Sequence, residues 1–345
     1  MALQSSGYIS LNDVNVELGN SGTANINMGS ADVRGLFGVS SGAITMADGY
    51  GASSISWYGG RGVFGSGTVV GWANTNVISY ITIATTGNAT DFGDLTDTRY
   101  GVASCSDGSR GVFGGGYKGA QLNNIEYITI STTGNATDFG DVTVARSRLG
   151  ACSNGTRGIF AGGYMDTSPY TRDTIDYITI AVTGNAVDFG NLSLSRRGPA
   201  TCSSEIRGIF AGGYGSGNTN TIDYIVIAST GNAIDFGDLT VARNVPAGCS
   251  SDIRGVFGGG TVSSDTVDYI TIASTGNATD FGNLTVGRKE FSACADGTRG
   301  VFGGGDVSNV QVDVIDYITI ETTGNATDFG DLIMGTSWTA ACSGG

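Results

Sequence analysis

Apolar residues in this chain come in short bursts, interrupted by Gly, Asn, Asp and Ser before a helical period can develop. The run DYITI at residues 268–272 sets Tyr269 and Thr271 on one side of an extended strand and Ile270 and Ile272 on the other. Both sides are apolar enough to be buried, as in a strand packed between stacked sheets. The STGN segment that follows is turn chemistry, with Gly and Asn able to take positive φ. The whole stretch DYITIASTGNATDFG, residues 268–282, returns in close variants from Ser79, Glu126, Asp176, Asp223 and Asp316.

Each repeat unit has four apolar pieces, illustrated by GACSNG at residues 150–155, RGIFAGG at 157–163, DYITI at 176–180 and the VDFGNLS run from Val187. All are too short for helices, so each unit predicts four strands. One such unit cannot bury both faces of its sheet, but neighbours stacked around a ring can. Four strands in a unit of about 40–50 residues is the signature of a β-propeller blade. Arg-Gly anchors at Arg61, Arg110, Arg157, Arg207, Arg254 and Arg299 count six blades. The cysteine-bearing strands also number six but are displaced by one, the last being TAACSGG at residues 339–345. The expected fold is therefore all-β: a six-bladed propeller whose C-terminal strand completes the first blade and closes the ring.

The paired glycines Gly162 and Gly163, Tyr177 in the third strand, Phe189 in the fourth and Arg196 before the next blade resemble the kelch repeat. The resemblance covers residues 53–345, with departures: Phe stands where kelch has Trp, the first blade reads GSG at residues 65–67, and no Arg precedes the closing strand. It implies a fold and says little about function.

The first fifty or so residues have another texture. SLNDVNVELG from Ser10 predicts a short helix, with Ser10 as N-cap, Asp13 in the first turn and Gly19 as terminator, and SADVRGLFG from Ser30 follows the same logic. Together with SGAITMADGYG from Ser41, this segment resembles the N-terminal module of tailed-bacteriophage virion proteins, particularly tail fibres and tail-tip components. The resemblance implies a virion attachment module at residues 1–52 and a propeller at 53–345. It also implies contacts with other virion proteins through residues 1–52, possible homo-oligomerisation, and a virion location after assembly in the host cytoplasm.

Composition narrows the chemistry. Lys and Arg total 17 against 31 Asp and Glu, a formal net charge of −14, which opposes binding to a phosphate backbone. No apolar run has transmembrane length, and the first residues lack the charged and apolar regions of a signal peptide. Neither nucleic acid nor membrane is expected as a partner. The DFG triplets do not mark a kinase: six copies, no histidine and two lysines cannot supply its lysine strand and catalytic loop. The absence of histidine also removes the ligands of a kelch-type copper oxidase. A six-bladed sialidase needs converging arginines, whereas the Arg-Gly arginines fall once per blade, as expected of structural pairs with carboxylates or carbonyls. The clustered oxygens of GNATDFGD could hold calcium, but turn and strand chemistry accounts for them. No enzyme, metal or cofactor is therefore expected. The six cysteines, spaced 45–50 residues apart, read as small buried thiols rather than disulfides.

Comparison of the blades divides the propeller into two faces. Loops joining strands one–two and three–four leave one face and are nearly identical, as in CSNGTRG, CADGTRG and the STGNAT turns. Loops joining strands two–three and successive blades leave the other face and differ in length and content. Variable loops on a rigid scaffold are where binding usually sits. The varied set carries Trp72, Tyr100, Tyr117, Arg148, Tyr164, Tyr170, Arg197, Lys289, Phe291 and Trp338 as candidate ligand-facing residues. Exposed aromatics stack on sugar rings and anchor protein interfaces. The expectation is a tail-fibre or tail-tip component that binds a host surface glycan or protein. The alternatives are a non-receptor structural or decoration protein of head, neck or tail, and a glycan-degrading enzyme.

Overall fold

The computed structural model describes residues 59–261 and 264–345, and among them there are strands, turns and no helix. The expected helices near Ser10 and Ser30, and the attachment module at residues 1–52, lie outside the described residues. Six antiparallel sheets of four long strands form the blades. In the third blade the order is Gly150–Ser153, Arg157–Ala161, Thr174–Thr179 and Val187–Asn191, running from the axis outward.

The innermost strands are Ala103–Ser106, Gly150–Ser153, Ala200–Ser203, Ala247–Ser250, Ser292–Ala295 and Ala340–Gly344. The last pairs with Arg61–Val69, in the register Arg61↔Gly344 to Gly65↔Ala340. The C-terminal strand thus completes the first blade, as the displaced cysteine count implies.

The core lies between blades. Successive residues of the second strand point to opposite sides: Val112 packs in one cluster with Phe160 and Ile178 of the next blade, while Phe113 packs with Val63 and Ile78 of the preceding one. This is why both sides of the DYITI strands are apolar. The glycine of each Arg-Gly pair allows the sheets to approach. A Cβ at Gly158 would stand 2.7 Å from Cys105 Sγ in the preceding blade, and the same relation recurs at Gly62, Gly111, Gly208, Gly255 and Gly300. The cysteine and glycine of the repeat are two halves of one contact.

The recurring STGNATDFG motif stitches neighbouring blades together. Gly134 N–H donates to Phe92 O at 2.8 Å, Ala136 N–H to Asp94 O at 2.8 Å, and Asn135 Oδ1 accepts from Asp94 N–H at 3.1 Å. Equivalent bonds join every pair of neighbours, including Gly87 to Phe329 across the closure. The DFG glycine is needed because a Cβ at Gly93, whose φ is +146°, would meet Gly134 O at 2.5 Å. Its Phe packs edge-on against the repeated Tyr, as in Tyr127–Phe139 with centroids 6.0 Å apart.

The arginines divide into two sets. Those of Arg-Gly lie over the repeated Tyr ring, 4.7 Å away for Arg110 and Tyr127, and donate to a carbonyl of the next blade, Arg110 Nη1 to Ile180 O at 3.1 Å. The second set, Arg99, Arg146, Arg196, Arg243 and Arg288, is almost wholly buried. Each pairs with an acid in the third strand: Glu126 at 3.1 Å, Asp176 at 2.8 Å, Asp223 at 3.0 Å, Asp268 at 2.7 Å and Asp316 at 3.0 Å. The same acids accept from a hydroxyl on the preceding connection, as Thr143 Oγ1 does to Asp176 at 2.6 Å. In the first blade all three partners change together, to Thr336, Ser79 and Ile333. An isolated buried charge would be costly there, and none is left.

Along the axis a cavity of about 180 Å³ is lined by the innermost strands. Serine hydroxyls run around it head to tail: Ser153 to Ser106 O at 2.6 Å, Ser106 to Ser343 O at 2.7 Å, Ser343 to Ala295 O at 2.6 Å, Ser203 to Ser153 O at 2.7 Å and Ser250 to Ser203 O at 2.8 Å. The sixth place is taken by Ala295, which accepts but has no hydroxyl to donate.

The cysteines are free and buried. Burial pushes all six thiols up, Cys152, Cys249 and Cys342 to about 12, so they stay protonated at neutral pH. We expect no alkylation of the folded protein by iodoacetamide at pH 7.5, and modification of all six cysteines after denaturation without reductant. Intact-mass measurement checks both, and a disulfide or a native adduct would contradict the packing of thiol against glycine.

Candidate functional site

The two faces separate as the loop comparison implies. On the varied face four of the six blade-to-blade connections pair with the loop between strands two and three, through the bridges Tyr100–Tyr117, Ser147–Tyr164, Arg197–Tyr214 and Lys289–Asp306. On the uniform face the connection between strands one and two meets the end of strand three, as in Ile180 N–H to Thr156 O at 2.9 Å. Gly59 and Gly344 adjoin one another on that uniform face.

The mouth of the axis on the varied face is built by one position from each connection, two residues after the buried-arginine position: Gly101, Arg148, Gly198, Val245, Glu290 and Trp338. All six have left-handed backbone, with φ of 68°, 57°, 59°, 52°, 63° and 57°. Five links of a backbone ring join them: Arg148 N–H to Gly101 O at 2.7 Å, Gly198 to Arg148 at 2.8 Å, Val245 to Gly198 at 3.0 Å, Gly101 to Trp338 at 3.3 Å and Trp338 to Glu290 at 2.6 Å. Glycine takes this conformation freely, whereas an L-residue pays roughly 1–2 kcal/mol. The chain uses glycine at two of these positions and side chains as unlike as Arg, Val, Glu and Trp at the rest. Four unlike side chains at strained positions within an otherwise repetitive framework mark the collar as a candidate functional site.

These residues line a cavity of about 90 Å³ above the channel, with Leu149, Pro199, Pro246 and Phe291 as apolar walls. From it a chain of alternating aromatic and cationic groups runs outward. The Arg148 guanidinium lies 4.4 Å from the Trp338 ring and 5.4 Å from Tyr164, and Arg197 lies 5.0 Å from both Tyr164 and Tyr214. Trp338 continues to Tyr100 at 6.2 Å, Tyr100 to Tyr117 at 5.4 Å, and Tyr164 stacks on the exposed Tyr170 at 6.4 Å. Across the ring stands Glu290, held 3.3 Å from Lys289. Burial raises its pKa, opposed by Lys289 and, more weakly, by Arg148.

The structure therefore gathers Tyr100, Tyr117, Arg148, Tyr164, Tyr170, Arg197 and Trp338 into one contiguous surface. Trp72 is exposed at the tip of the hairpin between Arg61–Val69 and Ala73–Thr82, with no ring contact recorded to this group. Lys289 joins the acidic side, between Glu290 and Asp306. Phe291, expected among the ligand-facing residues, is only 6 % exposed and packs against Phe302, because the residue after each mouth position turns inward. Tyr214, Val245 and Glu290 were not singled out from the sequence. Aligning the blades on the buried arginine, rather than on the loops, would have exposed them.

Among the described residues no group of three or more His, Cys, Asp or Glu side chains is arranged to hold a metal ion. The Asn side chain of GNATDFGD is engaged in the stitching between blades, with Asn135 and Asn185 accepting from the backbone N–H of Asp94 and Asp141 in the preceding blade. Fold and mouth together define a six-bladed propeller with a varied, strained collar over its axis. No protein-family model matches the chain, and no curated protein matches it.

Proposed function

We propose that the protein is a recognition component of a tailed-phage virion, of tail-fibre or tail-tip type, whose propeller binds a host surface glycan through the collar face. The virion reading rests on the resemblance of the N-terminal segment. The binding reading rests on one observation: the blade-to-blade connection position that is left-handed in every blade carries four unlike, non-glycine side chains around the mouth. Stacked aromatics interleaved with guanidinium groups suit sugar rings and their polar substituents. Gly59 and Gly344 adjoin one another on the opposite face, away from the collar.

Trp338→Gly keeps the left-handed backbone and removes the indole. Host-cell adsorption by the purified protein should fall about ten- to a hundredfold, the worth of one or two aromatic contacts. Trp72→Ala tests the outlying hairpin separately. Asn135→Ala, in the stitching turns, should leave adsorption unchanged even if it lowers the melting temperature. Adsorption that survives enzymatic removal of surface glycans but not proteolysis would point to a protein receptor. A collar buried against other virion proteins, with no adsorption at all, would make this a structural protein of the particle instead.

A further inference from the structure

The five buried arginines each have a dedicated carboxylate within 3.1 Å. Arg148 and Arg197 do not. Both lie against the same Tyr164 ring, at 5.4 and 5.0 Å, and no carboxylate among the described residues forms an ion pair with either. The Nε of each is shielded from solvent and lacks a hydrogen-bond partner. Their mutual repulsion is an additional cost, which lowers the Arg197 pKa after the larger effect of burial. In a chain with 31 acidic residues, neither of these neighbouring guanidinium groups has a carboxylate within ion-pair distance among the described residues. Each can present a planar fork of N–H donors, the geometry that fits a carboxylate.

Accepting the glycan reading above, we infer that the ligand is an acidic sugar, whose carboxylate is held between Arg148 and Arg197 while its ring lies against Trp338. The recess at the mouth, about 90 Å³, receives a substituent of the sugar. Its walls are apolar, and Glu290 Oε2 is buried there with no partner of its own. That oxygen accepts from a hydroxyl or an acetamido N–H, and its charge turns a carboxylate away from the far side of the ring. The two sides of the collar thereby fix the direction in which the sugar enters. Tyr170, stacked on Tyr164 at the outer end, extends the platform for a second residue of the chain.

The test uses the full-length protein and oligosaccharides ending in glucuronate, galacturonate or N-acetylneuraminate, together with their methyl esters and with sulfated neutral sugars, followed by Trp fluorescence and calorimetry. At least one carboxylate sugar should bind, with its methyl ester weaker by about tenfold or more. Arg148→Gly and Arg197→Met should each weaken binding by about tenfold. Arg148→Gly adopts the residue that Gly101 and Gly198 already use, so circular dichroism and melting should show the fold intact. Equal binding of acid and ester, or tighter binding of the sulfated sugar, would overturn the inference. Host-cell adsorption that is insensitive to both arginine variants would overturn it while leaving glycan recognition standing. Loss of adsorption in every form of the protein would instead remove the recognition reading itself.

Discussion

Arg146→Ala should destabilise the propeller by about 3–5 kcal/mol, because it leaves the carboxylate of a wholly buried Asp176 without its counter-charge. The guanidinium does more than neutralise. It donates to Gly162 O at 2.8 Å and Phe160 O at 3.3 Å, fastening the connection to the second strand of the blade it enters. Asp176 in turn receives Thr143 Oγ1 at 2.6 Å, so one acid ties the incoming chain to the new sheet. The first blade shows what replaces this arrangement when it is dispensed with: Ile333, Thr336 and Ser79 fill the same three places without charge. The triple variant Thr143→Ile, Arg146→Thr, Asp176→Ser should therefore recover most of the loss, since removing a buried pair outright costs far less than halving it. Denaturant unfolding of the single and triple variants decides it. Equal loss in both would mean that the arginine acts through its carbonyl bonds alone.

Deleting residues 338–345 should abolish stable folding. The loss includes the whole ladder from Arg61↔Gly344 to Gly65↔Ala340 and two links of the serine ring at Ser343. It also includes the Cys342 thiol that packs against Gly111. Two strand edges are bared, each a template for association with other chains. The combined cost is comparable with the whole stability of a typical domain, about 5–15 kcal/mol. The truncated protein should aggregate or melt far below the intact one. Gly344 adjoins Gly59, so a rearranged gene that places the deleted strand just ahead of residue 59, through a short linker, should restore cooperative melting. If truncation left the melting temperature unchanged, the ring would have to close by other contacts.

The strands, the blade count and the closure were legible because they depend on features written in every repeat: alternation in DYITI, an Arg-Gly start, and a cysteine strand out of step by one. The partners behind those features were less legible. Nothing in the spacing says that Cys105 meets Gly158, or that the second arginine of each unit is buried while the first lies over a tyrosine. Those assignments need the stacking between blades, which a single repeat does not contain. The collar was hidden for the opposite reason. Left-handed backbone is read from glycine, and four of its six positions carry Arg, Val, Glu and Trp, which suggest an ordinary loop. Phe291 lies one residue past the collar position and forms a wall of the recess beneath it. It belongs with Val102, Leu149, Pro199 and Pro246, an inward-facing apolar series that appears only when the blades are aligned on their buried arginines.

The collar also separates two kinds of inheritance. Its backbone geometry is supplied by the ring of connections, and its side chains, including the buried Val245, lie outside the clusters between blades. A point mutation at Arg148, Glu290 or Trp338 therefore alters what the mouth accepts without requiring a compensating change in the wheel beneath it. Under the proposed recognition role, the target can change through single substitutions at these positions while the cysteine, glycine and arginine framework stays as it is.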